Sequence, residues 1–247
     1  MDIQNRLKII GDTEDLAKLL NYIKSYVLGE ELQIDFNKII PIPESINIES
    51  DGLGELAHEL LFGGIDTECY QNTYEGLLEC FNDTYNRHES FAALDIDLQK
   101  EGIDLALKYQ KNIDKYDYAY LADWTIGNWE TNKNAYGQND VRNTANTIYF
   151  LTANCPPINL ILELSRLFPA VQLQLLYTNV DTPWITGRIS LTNGKFISRL
   201  ELVYKSMDAF DIYFEMYPDK RKDYKLINGK YEFINEFKDG ESISDLS

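Results

Sequence analysis

The apolar pattern along the first forty residues changes period twice. Leu7-Lys8-Ile9-Ile10 is a short apolar run that ends at Gly11 and reads as a strand. Leu16, Leu19, Leu20, Ile23 and Val27 then recur at three- and four-residue spacing, which predicts a helix over 13–28 that stops near Gly29. Asp12 or Thr13 can cap it, because a side-chain oxygen there accepts from the first unpaired amides. Phe36-Asn37-Lys38-Ile39-Ile40-Pro41-Ile42-Pro43 reads as extended, since its prolines oppose helix and suit the edge or end of a strand.

From 49 to about 117 the spacing is helical. Leu53, Leu56, Ala57, Leu60 and Leu61 mark one helix, and Tyr74, Leu77, Leu78 and Phe81 a second. Phe91 to Tyr109 marks one or two more, with a break near Gly102. The strand signature returns at Thr147–Ala153, and Pro156-Pro157 lead into a helix through Leu160, Ile161, Leu164 and Leu167 that ends near Pro169. Val171–Tyr177 alternates, and Trp184–Leu191 is a further strand. Asn193-Gly194 turns it into a hairpin with Lys195–Tyr204. Tyr224, Tyr231 and Phe233 outline another hairpin around Asn228-Gly229, and Gly240–Ser247 reads as a frayed end.

Between these halves lies Trp124-Thr125-Ile126-Gly127-Asn128-Trp129, continuing through Asn134-Ala135-Tyr136. It has neither period, so it reads as an ordered loop, and a loop this aromatic is either held in a core or built to bind. Trp129 is expected to be at least partly a core anchor. Trp124, Asn128, Trp129, Lys133 and Tyr136 are the candidates if the loop instead closes over a ligand.

The order of elements predicts an α+β protein with a ferredoxin-like (split βαβ) antiparallel sheet and helices on one face. An acidic helical insertion and a C-terminal β-hairpin extension complete it. The divisions are 1–48 for the first βαβ half and 49–122 for the insertion. The tryptophan loop and second βαβ half with its hairpin occupy 123–205, and the extension 206–247.

Charge sharpens this picture. The chain has 247 residues and a formal net charge of −17. Residues 49–117 hold sixteen Asp or Glu against five Lys or Arg, so the insertion supplies most of the excess. Such a surface repels nucleic acid and anionic membrane and suits a basic protein partner. Glu75, Glu79, Asp83, Glu89, Asp95 and Asp97 are the candidate contacts on it.

The familiar chemistries are not set up, and no catalytic residue, metal site or cofactor is assigned. His58-Glu59 opens like a zinc-protease helix, but Phe62 stands where the second histidine is needed. His88 reads as a solvated or capping residue. Gly52-x-Gly54 and Gly63-Gly64 lack the context of a phosphate loop and read as helix ends. Cys69, Cys80 and Cys155 form no CxxC pair, and Cys155 reads as a buried structural thiol rather than an activated one. Tyr149 and Tyr177 are candidates for an exposed sheet surface of the kind that stacks on RNA, against which the net charge argues. The N-terminus shows no apolar signal core and no run is long enough to span a membrane, so a soluble, cytoplasmic protein is expected.

Four segments together resemble the YubB ferredoxin-like family, uncharacterised proteins of phages, plasmids and other mobile elements. They are Asn5-Arg6-Leu7 with Ile9 and Gly11, and Phe36 through Pro43-Glu44. The others are Trp124 through Trp129 with Thr131 and Asn134-Ala135-Tyr136, and Ala153 with Pro156-Pro157 through Phe168-Pro169 to Tyr177. The chain departs from the family pattern near Glu130, where a glycine is expected, and near Asn132 and Lys133. The resemblance implies the ferredoxin-like fold and a mobile-element origin. With the charge, it leads to the expectation of a non-enzymatic acidic protein in a bacterial host cytoplasm. It would inhibit a host defence or nucleic-acid-binding protein, such as a nuclease, by imitating nucleic acid on a basic surface. The alternative is a small-ligand binder or enzyme that uses the tryptophan loop as a lid.

Overall fold

The computed structural model describes residues 1–27, 29–63 and 93–234. Its elements begin with β1 (Asp2–Ile10), α1 (Thr13–Ile23), β2 (Ser25–Val27), β3 (Glu30–Leu32) and α2 (Phe36–Ile39). Helices α3 (Gly52–Phe62), α4 (Ile96–Tyr116) and α5 (Leu121–Trp129) follow. The chain continues through β4 (Thr147–Ala153), α6 (Ile158–Leu167), β5 (Gln172–Asn179), β6 (Thr186–Thr192) and β7 (Lys195–Leu202). It ends in α7 (Met207–Met216), β8 (Tyr224–Ile227) and β9 (Lys230–Phe233). These elements form two compact units, one from Met1–Pro41 with Asn128–Ser247 and one from Ile42–Gly127.

In the first unit β1 lies inside a five-stranded antiparallel sheet of order β4-β1-β5-β6-β7. Thus β4 and β5, joined through α6, run in the same direction on either side of β1. Ile3, Leu7 and Ile9 are fully buried on one sheet face, the face of Asn5 and its partners Phe150 and Tyr177. Phe36 meets Phe150 edge-on with ring centroids 6.0 Å apart, so α2 lies on that face, with α1 and α6 beside it.

The opposite face was expected to be open and is not. Arg6 pairs there with Tyr149 and Leu176, and α7 covers them through Ile212 and Met216. Glu215 accepts from Arg6 at 2.6 Å, and Tyr217 Oη donates to Gln4 Oε1 at 3.2 Å. Arg142 donates to the Met216 carbonyl at 2.6 Å, placing a cation at the C-terminus of α7. Tyr149 is buried under α7 and Tyr177 is buried on the other face beside Asn5, so the sheet offers neither ring as a stacking platform.

Other expectations are corrected by local chemistry. Asp12 caps α1 by accepting from the Asp15 amide at 2.9 Å, but the helix ends at Ile23. Val27 pairs with Glu30 in a small hairpin turned by Gly29 at φ 88°. The stretch at 34–42 does not join the sheet: Asp35 accepts from the Asn37 amide at 3.0 Å and starts the single helical turn of α2. Pro41 and Pro43 act only after that turn, where Ile40 is already extended. The hairpins at Asn193-Gly194 and Asn228-Gly229 form as expected, with all four residues at positive φ. Trp184 precedes β6, is exposed, and stacks on Tyr204 at 4.1 Å.

The second unit is helical. Asp51 caps α3, and Asp95 caps α4 by accepting from the Asp97 and Leu98 amides at 3.0 Å each. Helix α4 runs unbroken through Gly102, whose missing side chain lies on the buried stripe with Ala106, Tyr109 and Asn112. Gly52 and Gly54 lie in the first turn of α3, and Gly54 is also a close contact: a Cβ there would come within 2.8 Å of Leu105 and 2.9 Å of Tyr109. Gly63 does end α3, in the left-handed conformation. Asn112 is buried and donates to the carbonyls of Ser45 and Ala119 at 2.8 and 2.9 Å.

Candidate functional site

The tryptophan segment begins as helix, not loop. Trp124 and Trp129 lie on α5, where both are buried, as is Thr125 between them. The buried face of this helix mixes the two tryptophans with Thr125 and the half-buried Asn128, while Ile126 is exposed, so the hydrophobic period is blurred in the sequence. Asn128 and Tyr136 are half-buried and Lys133 is exposed.

From Trp129 onward the segment fastens the chain around α2. Trp129 Nε1 donates to the Ile40 carbonyl at 3.0 Å, and its ring meets Phe36 edge-on at 5.7 Å. Asn134 accepts from the Phe36 amide at 2.9 Å and donates to Asp35 Oδ1 at 2.7 Å. Gln138 accepts from the Ile34 amide at 2.8 Å and returns a bond to the Ile34 carbonyl at 2.9 Å. One side-chain amide thus pairs both backbone groups that a neighbouring strand would otherwise pair. The segment then touches the sheet. Tyr136 exchanges backbone bonds with Leu151 at 3.1 and 2.7 Å, its hydroxyl donates to Asp2 at 2.7 Å, and Lys133 Nζ lies 4.0 Å from its ring centroid. Burial and the Asp2 carboxylate raise the Tyr136 pKa.

Glu130 adopts φ 63°, the left-handed region that favours glycine. Its carboxylate accepts from the Asn159 amide at 2.7 Å, in the first turn of α6, whose N-cap residue, Pro157, offers no side-chain cap. Burial raises the Glu130 pKa against that hydrogen bond. Cys155 lies nearby and is exposed, which corrects the buried-thiol reading. The protein around its sulfur and the Glu130 carboxylate raise its pKa, the opposite of activation.

Of the acidic candidates, Asp95 and Asp97 are described, and Glu75, Glu79, Asp83 and Glu89 lie outside the described residues, as do Cys69, Cys80 and His88. Asp95 and Asp97 are both exposed; Asp95 also caps α4, and Asp97 has Lys100 3.8 Å away. Glu101 and Asp104, absent from the sequence-based set, are exposed on the same helix. His58 is buried with Nε2 3.0 Å from Gln110 Oε1. Among the described residues no group of three or more His, Cys, Asp or Glu is arranged to hold a metal ion, and no helix is long and apolar enough to cross a membrane.

Sequence reasoning also missed a cavity of about 330 Å³ in the sheet-bearing unit. Asp181, Thr182 and Pro183 line it from the β5–β6 connection, and Tyr204 and Lys205 from the segment after β7. Phe210 and Tyr213 of α7 form its floor with Tyr231 of β9. The signal for α7 was present: Ser206 precedes rings at 210, 213, 214 and 217, the spacing of one helix face, and its hydroxyl accepts from the Ala209 amide at 3.2 Å.

No protein-family model matches the chain, and neither does any curated protein. Among solved structures, the chain is similar to the crystal structure of a protein api92 from Yersinia pseudotuberculosis, of the DUF1281 family. The TM-score is 0.35 and the identity 13%, over 81% of this chain and 97% of that one.

Proposed function

We propose that this chain is a non-enzymatic acidic binding protein of a phage or other mobile element, which occupies a basic surface on a host protein such as a nuclease. The observation that carries the reading is the division of charge between the two units. Residues 42–127 contain eighteen Asp or Glu and five Lys or Arg, a net −13 of the chain's −17. Within their described part, ten carboxylate residues are exposed against four lysines. The packing explains this arrangement, because the buried stripe of α4 is built from Gly102, Ala106, Tyr109 and Asn112 and leaves its acids outside. A concentrated field of one sign steers association with the opposite sign and is screened by salt.

The ferredoxin-like plan belongs to the same proposal. Strand β1 between β4 and β5, with α6 as the crossover, supports one split βαβ half. In this reading the strand of the other half is replaced by α2 and the segment that fastens it.

The test uses a partner recovered from bacterial host lysate. Raising salt from about 0.1 M to about 1 M shortens the screening length from about 10 Å to about 3 Å and should weaken binding steeply. Replacing Asp97, Glu101 and Asp104 by lysine should slow association more than it speeds dissociation. Asp95 is left intact, since losing a cap costs about 1 kcal/mol of stability and would blur the result. Binding indifferent to both salt and charge reversal would remove the physical basis of the proposal.

A further inference from the structure

We propose that the cavity beside α7 binds an organic cation, a guanidinium or alkylammonium group. This inference concerns the sheet-bearing unit and does not depend on the acidic helical one. Six of the thirteen lining residues are Tyr or Phe, and three more are carboxylates: Asp181, Asp223 and Glu232. An aromatic face is electron-rich and attracts a cation within about 6 Å of its centroid. A planar guanidinium can stack on a ring while its edge donates to a carboxylate. Among the described residues none of the three carboxylates is in an ion pair.

Cations of the chain already lie on rings in this neighbourhood. Lys205 Nζ is 5.5 Å from the Tyr204 centroid, and the Arg221 guanidinium is 5.5 Å from that of Phe214. Lys205 and Lys220 also line the cavity, and both are exposed residues. They leave the lining with one excess negative charge, in a chain whose net charge is −17. That balance opposes an anion. The rings of the wall hold one another, since Phe210 contacts Tyr224 and Tyr231 at 4.9 and 5.1 Å between centroids. Its volume is at the small end of ligand sites, which start at about 300 Å³, and matches an amino-acid-sized ligand.

The experiment is calorimetric titration of the full chain with N-acetylarginine amide, agmatine, N-acetylcitrulline amide and adenosine monophosphate. The guanidinium ligands should bind saturably below about 10 mM, and the neutral citrulline compound about tenfold or more weakly. Tighter binding of the arginine amide points to a protein side chain as the natural source, and tighter binding of agmatine to a free amine. Asp223→Asn with Glu232→Gln should weaken binding about tenfold with an unchanged melting temperature, which confirms folding. Lys220→Met should tighten it by removing a like charge. No guanidinium binding up to about 10 mM, equal binding of the citrulline compound, or preferential binding of the nucleotide that Lys220→Met abolishes would each overturn the proposal.

Discussion

Replacing Trp129 by alanine tests whether the tryptophan segment is structural. The indole is 2% exposed, so folding removes nearly all of its surface from water. A buried tryptophan covers about 150–250 Å², and at about 25 cal/mol per Å² this is roughly 4–6 kcal/mol before the alanine methyl is subtracted. Truncations of this type cost about 3–5 kcal/mol. Trp129→Phe separates two contributions. It keeps a ring against Phe36 but removes the Nε1 donor, leaving the Ile40 carbonyl without that partner. An orphaned buried acceptor costs about 1–3 kcal/mol, so phenylalanine should recover about half of the loss. The assay is equilibrium unfolding in urea followed by far-ultraviolet circular dichroism, because the substitution alters fluorescence directly. The denaturant slope should stay constant while the midpoint falls. A loss below about 1 kcal/mol for the alanine variant would refute the anchor reasoning. Equal losses for alanine and phenylalanine would refute the assigned weight of the ring.

Gln138→Leu should destabilise by about 2–4 kcal/mol in the same assay, because it removes the partners of both Ile34 backbone groups; a neutral result would mean that water replaces the amide without cost. Glu130→Gln should alter the pH dependence of the melting temperature. The folded-state pKa of Glu130 is raised above its ordinary 4.5, so the folded chain holds that proton more tightly than the unfolded chain, and its contribution to stability falls as pH rises through that window. Glutamine keeps an acceptor for the Asn159 amide and should remove this fall, and an unchanged pH profile would count against the burial argument.

The sequence made legible whatever was specified by neighbouring residues. Asp12 marks the start of α1, and the two Asn-Gly pairs mark their hairpins, because cap and turn chemistry act over a few residues. Pro156-Pro157 lead into α6 for the same reason. The reading failed at Phe36–Ile39, where the Asp35 cap acts before the prolines can. It failed at α5 because Thr125 and Asn128 sit on its buried face and Ile126 on its exposed one, which blurs the hydrophobic period. Helix α7 was readable from Ser206 and its ring spacing, and without it the sheet was wrongly left open on one face. The cavity was not readable, since its lining joins four stretches between 181 and 233 that meet only in the folded unit. Of the acidic surface, composition was legible and role was not: Asp95 and Asp97 are two residues apart and both face solvent, yet only Asp95 also caps a helix.

The pairing of β1 also constrains how this chain is made. Asp2–Ile10 is synthesised long before its two sheet neighbours, which begin at Thr147 and Gln172. At about 5–20 residues per second, the interval is roughly 10–30 s. Throughout it Ile3, Leu7 and Ile9, destined for complete burial, have no sheet to enter. The acidic helical unit, encoded in between, contains its own packing of α3 against α4 and can form before the sheet does. The highly charged middle can therefore fold while the hydrophobic β1 is still unpaired, and a chain stalled before Gln172 keeps that strand open along one edge.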